Sequence, residues 1–160
     1  MGQDLRQLLP AYASPDRTVG IAPGRDRRPE VVKREVAATV VYIVDDDAAV
    51  REGFARLLRS AGLAPRPYGS PEQFLEEVIN TPDACVLLDI TMPRMTGADV
   101  QARLSSLEIA LPVITVSARD DAETRSWARE LGARMFLRKP VDDQALIDAI
   151  NWVTGSNHDR

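Results

Sequence analysis

The sequence predicts an α/β fold of the doubly wound class, with one parallel sheet covered by helices on both faces. Three observations carry that prediction. Apolar runs too continuous for half-exposed strands recur at Val41-Tyr42-Ile43-Val44, Cys85-Val86-Leu87-Leu88 and Val113-Ile114-Thr115-Val116. Stretches with helical apolar spacing separate the strands, so the order reads βαβαβαβαβα, which implies right-handed crossovers. The second strand carries Pro65 and Pro67, which removes it from the sheet centre and favours the spatial order 2-1-3-4-5.

The first strand is expected over about 39–45, where apolar residues run into Asp45-Asp46-Asp47. The helix after it carries Val50, Phe54, Leu57, Leu58 and Ala61 on one stripe and stops at Gly62. A weak edge strand, 63–68, follows. Ser70-Pro71-Glu72-Gln73 reads as a helix start, with a capping serine, proline at the first helical position and glutamine closing a capping box. Phe74, Leu75, Val78 and Ile79 are expected on its inner face. The third strand is 84–89; a helix of about 98–106, opened by Gly97, turns Val100 and Leu104 inward. The fourth strand, 113–117, precedes a helix over 121–131 that ends at Gly132. Its inner face, Ala122, Ser126, Ala128 and Leu131, is poor in large apolar groups, so it is expected to be the least stable helix of the core. The fifth strand is 135–138, and Asp142 caps a last helix that buries Leu146, Ile147, Ile150 and Val153. The sum is a flavodoxin-like (βα)5 sandwich.

The length of 160 residues fits one domain with chain to spare. The folded domain is expected over 37–154. Residues 1–36, punctuated by Pro10, Pro15, Pro23 and Pro29 and rich in mixed charge, are expected to be a disordered or loosely docked extension. A docking arm for a partner, or a start codon set too far upstream, are the other readings of that stretch. Residues 155–160 read as a polar tail in which His158 is incidental. A net charge of −4 supplies no basic face of the kind nucleic-acid binding needs. The single cysteine, Cys85, falls inside an apolar strand and reads as a buried small hydrophobe; with no disulfide possible within the chain, a reducing cytoplasm is expected. No run approaches the ~18 apolar residues of a membrane span, and the N-terminus has no apolar core of signal-peptide type.

Four strands end in polar groups: Asp45-Asp46, Asp89, Ser117 and, through Arg138, Lys139. In an open parallel sheet the C-terminal strand ends are where ligands bind, and the order 2-1-3-4-5 sets the first and third strands side by side at the switch point. Three converging carboxylates raise one another's pKa, and a hard divalent cation removes the conflict. Oxygen ligands with incomplete protein coordination suit Mg²⁺, which keeps waters and pairs with phosphate. Three carboxylates, Mg²⁺ and Lys139 sum to zero formal charge; a phosphoryl group adding about −1.5 to −2 then gives lysine and serine a reason to turn toward it. Asp89, alone at the end of the central strand, is the expected nucleophile, since aspartyl phosphates are known covalent intermediates. Asp45 and Asp46 fit metal binding, and Asp47 reads as a helix cap.

At these residues the chain resembles the receiver domain of two-component response regulators. The match runs over about 38–153 and rests on Asp45-Asp46, Asp89 followed by Met92-Pro93 and Gly97, Ser117-Ala118, and Lys139-Pro140. The resemblance implies that Asp89 accepts phosphate from a phosphohistidine of a histidine kinase or histidine phosphotransfer protein. It implies Mg²⁺ on Asp46, Asp89 and the backbone carbonyl of Thr91, with Asp45 acting directly or through water, and contacts from Ser117 and Lys139 to the phosphoryl oxygens. It implies a cis Lys139–Pro140 bond, a form that only X-Pro bonds reach at low cost. It makes Phe136 a switch aromatic, and Thr91 and Arg119 positions that tune phosphoryl lifetime. Signalling would pass through the face of the fourth helix, fifth strand and fifth helix, since no output domain follows Val153. Trp127 is expected on that face, as a contact for a downstream protein or a second copy of the chain.

The expected function is therefore a phosphorylation-controlled interaction module, or a phosphate shuttle or sink, and not a free-standing enzyme. Two other readings differ in kind. An aspartate-nucleophile phosphatase of the haloacid dehalogenase type wants Asp-x-Asp-x-Thr, but Asp45-Asp46-Asp47 is followed by Ala48. A structural module whose N-terminal arm matters most would bind its partner regardless of Asp89.

Overall fold

The first strand, β1 (Val40–Val44), alternates its side chains between two apolar layers, as the period of a strand requires. Val41 and Ile43 enter one core cluster, while Tyr42 and Val44 enter the other. The structure, a computed structural model, describes residues 37–92 and 95–155. The readings of 1–36, of Pro93 and of the tail with His158 lie outside those residues.

Helix α1 (Ala48–Ser60) starts where the Asp47 carboxylate accepts hydrogen bonds from the N–H groups of Ala49 and Val50. It ends in a Schellman turn: Gly62 takes a φ of 83°, and the Leu63 N–H donates to the Leu58 carbonyl at 2.9 Å. Strand β2 (Ala64–Tyr68) runs along one edge. Its Ala64 N–H bonds inward to the Thr39 carbonyl at 2.8 Å, so Pro65 and Pro67 fall at the outward-facing alternate positions. The free edge therefore offers no N–H at those two positions, which blunts pairing with another strand.

Helix α2 (Pro71–Glu77) is capped by Ser70, whose oxygen accepts from the Gln73 N–H at 3.3 Å. The expected capping box does not form: the Ser70 hydroxyl turns to the Glu72 carboxylate at 2.9 Å, and Gln73 makes no return bond. The helix is also shorter than its apolar pattern suggests. Val78 is already extended, so Ile79 leaves the inner face and is 59% exposed. The capping box belongs instead to α3 (Gly97–Ser106), where Thr96 and Asp99 bond reciprocally.

Strand β3 (Ala84–Asp89) is buried at all six positions. Strand β4 (Val113–Ser117) is buried throughout, with the Thr115 hydroxyl satisfied by the Met135 carbonyl at 3.2 Å. Helix α4 (Ala122–Glu130) buries only Thr124 and Ala128. The expected stripe was thus partly out of phase: Ala122 is exposed, and Thr124 takes the inward place. Strand β5 (Met135–Arg138) is the second edge and is half-buried. Helix α5 (Asp143–Thr154), capped by Asp142, buries Leu146, Ala149, Ile150 and Val153, with Ile147 partly buried beside them.

The sheet order is β2-β1-β3-β4-β5 with every pair parallel, the predicted 2-1-3-4-5. One face packs against α1 and α5, the other against α2 and α3. On the second face Tyr42, Tyr68 and Phe74 form an aromatic trio with ring centroids 5.5 to 6.3 Å apart. The Tyr68 hydroxyl donates to Glu77 at 2.8 Å; burial and that carboxylate push its pKa up to about 12.

Candidate functional site

Register builds the site. Val44 of β1 pairs with Leu88 of β3, so the next residues along, Asp45 and Asp89, emerge level at the C-terminal edge. Each of Asp45, Asp46 and Asp89 places a carboxylate oxygen within 4.8 Å of the others. Asp45 and Asp89 are 2% and 4% exposed, whereas Asp46 faces solvent. On the other side, Ser117 of β4 pairs with Arg138 of β5, and the Lys139 N–H donates to the Ser117 carbonyl at 2.9 Å. A cis Lys139–Pro140 bond follows, as expected. The Lys139 ammonium then reaches across the sheet edge to Asp45 at 2.9 Å and Asp89 at 3.3 Å.

The electrostatics follow from burial against pairing. Burial raises the Asp45 carboxyl above the usual carboxylate range; the Asp47 N–H and Lys139 oppose this, and the Asp89 charge adds to it. Burial also works against the Lys139 ammonium, but the hydrogen bond it donates to Asp45 and the charges of both aspartates outweigh it and hold its pKa above the usual lysine range. One cation thus answers two buried carboxylates, and a third carboxylate stands open to water. Oxygen donors alone, with negative charge in excess, are a donor set that fits a hard divalent cation such as Mg²⁺.

The other sequence-predicted residues fall at graded distances from this centre. Thr91 is adjacent: its N–H and its hydroxyl both donate to one oxygen of Asp89, at 2.9 and 2.8 Å. Ser117 is fully buried, and its hydroxyl oxygen accepts from the Arg119 N–H at 3.0 Å. The Arg119 side chain turns outward to Asp121 at 3.0 Å. Asp121 caps α4 through the Thr124 N–H, and its pKa drops to about 2, through Thr124 first and Arg119 second. Phe136 is half-buried on β5, and the Arg125 guanidinium lies 4.9 Å above its ring. Trp127 is not where it was expected. Arg125 and Trp127 are two positions apart, about 200° around a helix, so the indole lies on the flank of α4 opposite β5. It is half-buried there, in a groove shared with Thr91. The large exposed indole of the described residues is Trp152 on α5, 61% exposed.

Sequence reasoning missed Arg51. Its guanidinium donates to the Asp45 backbone carbonyl at 2.8 Å and lies so close over Gly69 that a Cβ there would stand 2.7 Å from its nitrogen. It pins the loop that carries Asp45 and Asp46. A separation of six residues matches no short motif, so only the pairing of β1 with β2, which brings Gly69 alongside, could have revealed it.

The comparisons agree with this geometry. The family model for the response regulator receiver domain matches residues 41–151. The transcriptional regulatory protein TdiR of Thauera aromatica is 38% identical over 122 residues, 76% of this chain and 54% of that protein. The response regulator protein TodT of Pseudomonas putida is 39% identical over 113 residues, 71% of this chain and 50% of that one. The chain therefore spans about half the length of these curated relatives. Among solved structures, a response regulator receiver protein from Burkholderia phymatum is 41% identical with a TM-score of 0.65, covering 73% of this chain and 95% of that one. The FixJ-N structure is 30% identical with a TM-score of 0.69, covering 75% and 96%. The chain belongs to the response regulator receiver domain family of two-component systems.

Proposed function

We propose that this receiver domain accepts a phosphoryl group on Asp89 from a phosphohistidine of a histidine kinase or histidine phosphotransfer protein. The observation that carries the proposal is the convergence of Asp45, Asp46 and Asp89 within 4.8 Å, with the Lys139 ammonium held against two of them. Asp45, Asp46 and Asp89, with the Thr91 backbone carbonyl, would hold Mg²⁺. When bound, the ion supplies positive charge at the phosphoryl oxygens and relieves the crowding of the carboxylates.

The chain's own groups do the rest. Thr91 fixes the Asp89 carboxylate through two hydrogen bonds to one oxygen. An oxygen lone pair of Asp89 attacks phosphorus, the N–P bond of the phosphohistidine breaks, and the imidazole leaves with the electron pair. Lys139, already 3.3 Å from Asp89, and the Ser117 hydroxyl then take the phosphoryl oxygens. Attack by water on the same phosphorus returns free Asp89 and inorganic phosphate. Thr91 and Arg119, at the rim of the site, would set how easily that water arrives. The protein would turn over no other substrate, so it is not an independent enzyme.

The message would leave through the α4–β5–α5 face, by way of Phe136 and to a downstream protein or a second copy of the chain. The exposed Trp152 of α5 supports a protein contact, because a solvent-facing indole favours a partner. A soluble site in the cytoplasm fits this role; among the described residues no helix is long and apolar enough to cross a membrane.

Intact mass after incubation with Mg²⁺ and acetyl phosphate tests the proposal. One added phosphoryl group is expected, absent in Asp89→Asn and absent without Mg²⁺. An adduct that survives Asp89→Asn would place the chemistry elsewhere.

A further inference from the structure

Beside the carboxylate centre, between Thr91 and α4, lies a groove of about 600 Å³. The phosphoryl chemistry draws on its Thr91 and Arg119 end and leaves the stretch along α4 unused. The half-buried indole of Trp127 lines it, together with the exposed Glu123 and Glu130. These three occupy positions i, i+4 and i+7 of one helix, which puts them on a single stripe with the indole in the middle. The seven residue steps from Glu123 to Glu130 rise about 10 Å along the axis, so both carboxylates can reach a group lying over the ring.

The charges near this stripe are already sorted. Arg119, at the mouth of the groove, is held by Asp121 at 3.0 Å. Arg125 points to the opposite flank, where it pairs with Asp120 and covers Phe136. Among the described residues neither Glu123 nor Glu130 has an ion-pair partner. The groove therefore sets an indole between two carboxylates that have no ion-pair partner among the described residues, and its Thr91 end bonds the Asp89 carboxylate. Such a surface repels anions and attracts a flat, weakly hydrated cation, for which a guanidinium over indole is the best match.

We propose that this groove is a docking site for an arginine side chain presented by a basic segment of a partner protein. The guanidinium stacks on Trp127 and donates to Glu123 and Glu130. The Thr91 end leads to Asp89, since the Thr91 hydroxyl bonds that carboxylate at 2.8 Å. A partner anchored here approaches the site from the α3–α4 side, on the flank of α4 away from β5. The inference needs no phosphate and no metal, so it stands or falls separately from the chemistry at Asp89.

The test is an NMR titration of the full chain, following the two indole N–H resonances, with the peptide acetyl-Ala-Arg-Ala-amide. The neutral isostere with citrulline in place of arginine, and spermidine, are run in parallel. The Trp127 resonance should shift saturably with the arginine peptide while that of Trp152 stays in place. Citrulline should bind about five- to tenfold more weakly, the share expected of the lost charge. The Glu123→Gln/Glu130→Gln pair, whose side chains are exposed and whose fold is checked by an unchanged thermal midpoint, should abolish the difference between the two peptides. Equal shifts with arginine and citrulline, a response at Trp152 as large as at Trp127, or a preference for arginine over citrulline that survives the double substitution would each overturn the proposal. Spermidine binding as tightly as the peptide would replace the protein segment with a polyamine.

Discussion

Strand β3 buries all six of its residues, whereas β5 has three half-buried residues and one exposed. The helices beside them differ in the same sense: α5 buries four residues against the sheet, three of them large, and α4 buries a threonine and an alanine. The carboxylates hang from the end of the well-packed centre, while α4 and β5 form a thinly anchored flank that carries Lys139 at the end of its strand. The difference separates two jobs. The carboxylates that must meet within a few ångströms are fixed by β1 and β3, which have no freedom to shift without opening a core. A surface that changes its contacts needs low local stability, and the α4–β5 flank has few buried apolar groups to lose.

The largest test of that contrast is a pair of truncations. Leu87→Ala in β3, where the side chain is 1% exposed, should lower the unfolding free energy by about 3 kcal/mol. Leu137→Ala in β5 should cost about 1 kcal/mol, because that side chain is already partly in water. Urea denaturation of both variants measures the gap, and equal losses would break the contrast.

Alkaline titration sharpens it. Burial raises the Cys85 thiol from 9.0 to about 12. The folded state therefore holds a proton that the unfolded chain releases above about pH 9. Its contribution is fully present below that pH and is lost as pH rises toward about 12. Stability should fall across this window, and Cys85→Ala should flatten the fall even though it lowers stability at pH 7. At neutral pH the thiol should resist iodoacetamide in the native protein and react only on unfolding.

The smallest expected effect is a gain. Helix α3 ends in the same turn as α1, with the Ile109 N–H on the Leu104 carbonyl at 2.9 Å, but Glu108 occupies the left-handed position at φ 60°. Asn80 holds the turn by bonding the Glu108 carbonyl at 3.0 Å and the Ala110 N–H at 2.8 Å. Glu108→Gly should raise stability by about 1 kcal/mol, seen as a higher urea midpoint at unchanged slope.

What could be read from the sequence follows the same division. The central strands announce themselves because both of their faces are apolar, and their polar ends are legible as soon as the strand order is known. Asp47 and Asp142 as caps, and Gly62 and Gly132 as stops, are local signals that survived folding. The flank was harder. Thr124 is buried although it is polar, because its helix lies where the sheet edge offers little apolar surface, and that shifted the inward stripe of α4. The side of α4 on which Trp127 lies depends on that phase, so an error in one carried into the other. Ile79 looked like core because it follows Leu75 at helical spacing, but α2 stops at Glu77. Arg51 acts through a backbone carbonyl and a glycine just past the end of β2, contacts that leave no pattern in a linear reading.

Amide hydrogen exchange resolved by segment, on the full chain with Mg²⁺ and with or without acetyl phosphate, tests the division of labour most directly. Segments from β1, β3 and α5 should be the most protected and should stay so on phosphorylation. Those from α4 and β5 should exchange faster at rest and change their protection when Asp89 carries the phosphoryl group. Protection in α4 equal to that in α5, or a phosphorylated chain whose α4 and β5 exchange as before, would contradict the account.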